Sequence, residues 1–157
     1  MARFNFRLQQ FLNIKEQIED QKEIEYGQAI QRLEEEKEKK RRLEQKREDE
    51  INAFRASILE SIKPYELRRY NNTIEAIKTR IIEQEKRIEA AAAYVEKKRL
   101  ELIEAMKERK AMDIVKENAY EAFMRGESLA EQKQIDEMVS YKYTDNKRVG
   151  SWHNGKR

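Results

Sequence analysis

The sequence contains no cysteine, one proline, four glycines and one histidine in 157 residues. Without cysteine there is no disulfide framework and no thiolate metal site. So little proline and glycine leaves too few turns for a fold of many short elements. No stretch approaches the roughly 18 apolar residues of a membrane span. The start, Met-Ala-Arg-Phe-Asn-Phe-Arg, lacks the apolar core of a secretory signal. Charge of a single sign is also missing: 34 basic residues face 31 acidic ones, for a net charge of +3. What the chain does have is charge of both signs, 41% of all residues, with only 38% apolar. A typical soluble domain carries about 25% charged residues. Such a composition suits either disorder or a coiled coil, and a helical repeat separates the two.

The repeat is clearest in the second half. Steps of four and three from Tyr70 reach Ile74, Ile77, Ile81, Gln84, Ile88, Ala91, Val95, Lys98, Leu102, Ala105, Arg109, Met112, Lys116, Ala119 and Phe123. That is about seven heptads, well beyond the ~3–4 that argue for a coiled coil. Gln84, Lys98, Arg109 and Lys116 are polar interruptions of the kind that cost stability and fix register. The first half is less regular. Phe4, Leu8, Phe11, Leu12, Ile14 and Ile18 form an apolar stripe, followed by Tyr26, Ile30 and Leu33, and later by Leu43, Ile51, Phe54, Ile58 and Ile62. Between Glu34 and Glu50 Leu43 is the only apolar residue. Glu35 with Lys39, Glu36 with Lys40 and Glu38 with Arg42 are spaced to pair along an exposed helix, so the run reads as a solvated face.

Pro64 breaks the pattern. Its ring disfavours helix at Lys63 and removes an N–H, yet it is welcome in a first helical turn. One helix should therefore end at Ser61 or Ile62 and the next open at Pro64. Gly126 is a second interruption, and Ser128-Leu-Ala-Glu131 beyond it reads as a capping box. The two arms are nearly equal, roughly 85–90 Å each at the rise of a helix. The expected fold class is all-α: two long helices forming an antiparallel coiled-coil hairpin over 1–140, turning near 61–66, with a flexible basic tail at 141–157. That tail holds Lys142, Lys147, Arg148, Lys156 and Arg157 against Asp145 alone, which leaves the body of the chain slightly acidic. Tyr141, Tyr143 and Trp152 among these cations would suit single-stranded nucleic acid or an anionic membrane. The acidic body argues against nucleic acid as a partner.

No catalytic constellation is present. His153 stands in the tail beside Asn154 and Gly155 without an orienting partner, and no phosphate loop or zinc-binding helix occurs. The carboxylates lie among lysines, and a two-helix coil offers no deep pocket. The chain is expected to be no enzyme and to bind neither cofactor nor metal. The open end of the hairpin gathers Phe4, Phe6, Leu8 and Phe11 with Tyr120, Phe123 and Met124. These aromatics seal the end or form a docking patch, with Arg3, Arg7 and Arg125 around them and the acids Glu117 and Glu121 nearby.

Both ends carry a resemblance. Phe4-x-Phe6-Arg7-Leu8-Gln9-x-x-Leu12-x-x-Lys15-Glu16 is similar to the start of the flagellar export protein FliJ family. Glu131-Gln132-Lys133-x-Ile135-Asp136-Glu137 resembles a stretch near the end of those proteins. The likeness covers residues 1 to 140. It implies a soluble, non-catalytic component of the flagellar type III export apparatus at the cytoplasmic face of the membrane. Its antiparallel coiled coil would be a stalk that enters and promotes the export ATPase ring, and would also meet the cytoplasmic domain of the export gate and escort chaperones. The resemblance makes the open end, with Arg3, Phe4, Phe6, Arg7, Phe123 and Arg125, the expected ring contact. It makes the face at Tyr70, Ile74, Ile77 and Ile81 the expected gate contact. Those four are also seam positions, where packing on Phe54, Ile58 and Ile62 is the alternative. A structural spacer or cytoskeletal rod without an ATPase partner is the competing function.

Overall fold

The computed structural model describes residues 3–151, with side chains described for 3–142. Two helices make up nearly all of it: α1, Gln9–Leu59, and α2, Pro64–Ser151. They pack as an antiparallel coiled-coil hairpin. The cross-helix pairs set the direction, because partners climb α1 as they descend α2. Lys15 meets Glu108 at 2.6 Å, Lys22 meets Glu101 at 2.9 Å, and Lys40 meets Glu85 at 2.8 Å. Nearer the turn, Phe54 packs on Tyr70 at a tilt of 50°, with ring centroids 5.6 Å apart.

The turn is built from local hydrogen bonds. The Glu60 amide donates to the Ser57 carbonyl at 3.2 Å, tightening the last turn of α1. Ser61 then takes a positive φ of 84°, in the left-handed region that glycine usually fills after a helix. Helix α1 therefore stops at Leu59, two residues before Ser61. Pro64 opens α2 at the first helical position, as its spacing predicts. Glu66 reaches back so that its carboxylate accepts from the Lys63 amide at 3.2 Å, half of a capping box. The same carboxylate lies in the first turn, where the helix dipole favours an anion.

The chain divides into two compact units, Lys15–Glu108 and the pair of segments Met1–Ile14 with Arg109–Arg157. In the first unit, Ile77, Ile81, Ala29 and Ala105 are buried, as is the polar Gln84. The Gln84 amide donates to the Glu36 backbone carbonyl at 3.0 Å and also to the Glu36 carboxylate. Every stop of the repeat from Tyr70 to Phe123 is buried or half-buried. The irregular stripe of α1 is corrected by the structure. Helix α1 keeps the same repeat, through Leu12, Lys15, Glu19, Lys22, Tyr26, Ala29, Leu33, Glu36, Lys40, Leu43, Arg47, Glu50, Phe54 and Ser57, each buried or half-buried. Half of that seam is charged. Leu8, Phe11, Ile14, Ile18, Ile30 and Ile58 stand on its flanks and stay exposed.

Charge enters a seam at least cost when it is paired, and Lys15, Lys22, Lys40 and Lys98 each find a carboxylate on the opposite helix. Lys98 donates to Glu25 at 2.8 Å and to Glu101 at 3.1 Å, while Lys22 donates to Glu101 at 2.9 Å and to Glu25 at 3.3 Å. The ring of four alternates sign around the helix interface. The Lys98 ammonium, followed by Gln21 and Lys22, holds the Glu25 carboxyl down to about 2. Glu25 and Glu101 in turn raise Lys98, and Glu101 and Glu25 raise Lys22. In the mixed run, Glu34 pairs with Lys37 and Glu36 with Lys39, three apart rather than four. Lys40, expected to pair with Glu36, instead crosses to Glu85 and touches Glu44. Glu38 does reach Arg42, at 3.4 Å, and Arg41 as well. The run between Glu34 and Glu50 is therefore not wholly a solvated face: Glu36, Lys40, Arg47 and Glu50 belong to the seam.

Gly126 does not interrupt α2. Both described glycines keep negative φ, and a methyl group at Gly126 would meet nothing within 4 Å. The helix continues through Ser128 and Glu131, so the capping-box pattern there goes unused, and beyond Glu127 every described side chain is exposed. The backbone remains helical to Ser151, so the first part of the segment read as a tail extends the helix. Trp152 and His153 lie outside the described residues. Among the described residues, no helix is long and apolar enough to cross a membrane.

Candidate functional site

The aromatic end is built in the second unit. Ahead of α1, the chain from Arg3 to Phe6 is not helical, and the Gln9 amide donates back to the Phe6 carbonyl at 3.0 Å. This folds Phe4 and Phe6 onto α2. The Phe4 ring meets Tyr120 edge-on at 5.2 Å and Phe123 at a tilt, 5.5 Å away. Such pairs add about 0.5–1.5 kcal/mol beyond the area they bury. Phe6 and Leu12 are buried, Leu12 to 2% exposure, while Phe4 and Phe123 are half-buried. Of the apolar residues gathered here, Phe6 and Leu12 are sealed from solvent, whereas Leu8, Phe11, Tyr120 and Met124 remain exposed.

A shallow cavity of about 750 Å³ opens here, between the segment Arg3–Leu8 and Val115, Ala119 and Phe123. Arg3 and Arg7 line it and are exposed, and among the described residues neither makes an ion pair or hydrogen bond. Arg125 differs. It donates to Glu121 at 3.0 Å, one turn back on the same helix, so part of its charge is already met. The end therefore combines buried rings, a half-open apolar rim and two uncommitted guanidinium groups. It suits a protein socket, where aromatic anchors give affinity and rim charges steer approach.

The second predicted face divides in two. Ile77 and Ile81 are buried in the seam, 3% and 6% exposed, with no surface to offer a partner while the helices are packed. Tyr70 and Ile74 are half-buried. The Tyr70 ring leans on Phe54, its hydroxyl shares a 3.2 Å hydrogen bond with Ser57, and the Arg69 guanidinium lies 5.7 Å from the ring centre. Tyr65, Leu67 and Ile82 are exposed apolar residues around this stretch. Leu67 lies one step before Tyr70 on the four–three repeat, and Ile82 stands on the flank beside Ile81, so extending the repeat back and reading its flank would have found both.

These features define a class: a charged two-helix antiparallel coiled coil. The particular family is also settled. The chain matches the flagellar FliJ protein family over residues 4–148 and belongs to it. Among solved structures, it is similar to a putative YscO homolog, CT670, from Chlamydia trachomatis. The identity is 22% over 93% of this chain and 99% of that one, with a TM-score of 0.59, a likeness of fold. No curated protein matches the chain.

Proposed function

We propose that this chain is a component of the flagellar type III protein export apparatus and acts there as a stalk. Membership of the FliJ family supports the export role. In this reading the aromatic end binds and stimulates the export ATPase ring, and the chain itself hydrolyses nothing. The observation that carries the assignment of that end is the pair of exposed, unpaired arginines, Arg3 and Arg7, beside the Phe4–Tyr120–Phe123 cluster. Docking of the end into an acidic-rimmed socket would use both. The early part of α2 meets the export gate, with Tyr70 and Ile74 offering surface while Ile77 and Ile81 hold the face from beneath. Escort chaperones are further partners, and the site of action is the cytoplasmic face of the membrane at the flagellar base.

Mixing the chain with its cognate export ATPase and measuring hydrolysis and ring formation tests the reading. Stimulation that saturates with the chain, and is absent when the chain is incubated with nucleotide alone, is the expected result. A chain that self-associates into rods and leaves the ATPase unaffected would instead be a spacer.

A further inference from the structure

A groove of about 500 Å³ opens beside the helix seam in the unit Lys15–Glu108. Ala29, Ala90 and Ala91 supply its apolar surface, Arg32 and Arg87 its charge, and Tyr94 closes one part with a ring that is 46% exposed. Its origin is in the sequence. Residues 90–93 are four consecutive alanines, whereas the turns on either side of them are crowded with Glu, Lys and Arg. Long side chains are thus stripped from one stretch of α2, and the distance at which another helix can pack depends on the side chains at the contact.

The charges around the groove are not equivalent. Lys39 is paired with Glu36, and Lys98 with Glu25 and Glu101. Glu36, the acid that lines the groove, has its carboxylate held by Lys39 and by the Gln84 amide. Arg32 and Arg87 both border the groove and make no hydrogen bond or ion pair among the described residues, although Arg87 lies near enough to Glu36 to help lower its carboxyl, after Lys39 and Gln84. Arginine is the side chain that grips carboxylates through two parallel hydrogen bonds. The groove therefore shows a small apolar surface with two guanidinium groups, one from each helix, whose hydrogen-bonding forks are unused among the described residues.

We propose that this groove docks an acidic amphipathic helix of a partner protein, with small apolar residues on the alanines and carboxylates on Arg32 and Arg87. A second copy of this chain is a poorer occupant, because its acids near the groove are already spent: Glu34, Glu36 and Glu38 pair with Lys37, Lys39 and Arg41. The partner needs acids that are not compensated on its own surface. The proposal is independent of the stalk reading, and the test below contains no export component.

The probe is a fluorescein-labelled helical peptide of roughly 18 residues, long enough for several turns. It carries an alanine stripe flanked by glutamates at i, i+4 spacing. Two controls replace glutamate by lysine or break the helix with a central proline at constant charge. Fluorescence polarisation against the full chain is expected to show binding of the first probe and of neither control. The double change Arg32→Glu, Arg87→Glu and the groove-filling Ala90→Trp are each expected to weaken binding by at least ~10-fold, about 1.4 kcal/mol. Circular dichroism checks that both variants keep their helix, and Arg32→Lys with Arg87→Lys should bind at an intermediate level. Equal binding of the proline-broken peptide would reduce the effect to bulk charge and overturn the proposal. No binding by the intact chain, unchanged binding by the double variant, or self-association abolished by these substitutions would each overturn it as well.

Discussion

Gln84 is one residue on which the pairing of the helices turns. It is 5% exposed, and its amide serves both the backbone carbonyl and the carboxylate of Glu36 across the seam. A polar seam residue lowers stability and excludes registers in which it would lie unpaired. Gln84→Leu is accordingly expected to raise the melting temperature by a few degrees and to loosen the choice of partner. Thermal melts paired with sedimentation equilibrium check both halves, since a variant that melts higher should also populate species heavier than wild type. Ser61 makes the opposite point at the turn. Its φ of 84° costs an ordinary side chain roughly 1–2 kcal/mol, which glycine avoids at some cost in unfolded-chain entropy. Ser61→Gly should therefore stabilise the hairpin by about 0.5–1 kcal/mol, read from the urea midpoint.

At the scale of the helix, α2 was legible and α1 was not, for one physical reason. In α2 the buried positions are mostly Ile, Ala, Val, Leu and Met, so apolar spacing reports the seam. In α1 the same repeat passes through Lys15, Glu19, Lys22, Glu36, Lys40, Arg47 and Glu50, while Phe11, Ile14 and Ile18 stand beside it. A hydrophobic count follows the flanks and misses a seam in which Lys15, Lys22 and Lys40 are met by Glu108, Glu101 and Glu85 from the opposite helix. The candidate site divides in the same way. The aromatic cluster could be placed by folding the chain back at Pro64, even though the arms expected to be equal are 51 and 88 residues long, but which of its arginines are paired depends on Glu121 lying one turn before Arg125. Gly126 misled because glycine is both a helix end and a tolerated helix residue. With negative φ and open space around it, Gly126→Ala should stabilise α2 by about 0.5–1 kcal/mol in a denaturant titration.

The charged seam also makes the helix pair sensitive to pH, and the sign follows from the shifts. Glu25 titrates at about 2 when folded, below its ordinary value of 4.5, because Lys98 holds it ionised. A carboxyl depressed by folding contributes stability that is complete above its unfolded value and is lost as pH falls through the folded one. Glu101 is lowered by Lys22 and Lys98 in the same direction. On the alkaline side, Lys98 and Lys22 are raised above 10.5, so their contribution is complete below that value and fades above it. The melting temperature should hold a plateau through neutral pH and fall between about 4.5 and about 2. Glu25→Gln should lower the plateau and flatten the acid limb. An acid limb unchanged in that variant would mean the ring of four contributes nothing to it.

For the molecule as a whole, the proposed stalk role requires that one surface act on the ATPase, and packing and charge can be separated to test which. Phe6 is buried and Leu12 is nearly inaccessible, so Phe6→Ala removes core and should cost about 3–5 kcal/mol if its cavity stays open. Loss of stimulation in that variant would say only that the end had loosened. Arg3 and Arg7 are exposed and hold no partner among the described residues, so Arg3→Glu with Arg7→Glu should leave the melt within about 0.5 kcal/mol of wild type. If the aromatic end enters the ring, the charge reversal alone should weaken stimulation, and the loss should be greatest at low salt, where exposed charges act over a longer distance. Tyr70→Ala supplies the contrast. It breaks the contacts with Phe54 and Ser57 far along the sequence from Arg3 and should leave stimulation in place while impairing the gate interaction. ATPase rates and melts on all three variants decide the matter. Should the reversed arginines stimulate normally while Tyr70→Ala, still folded, does not, the ring belongs to the early α2 face and the aromatic end to another partner.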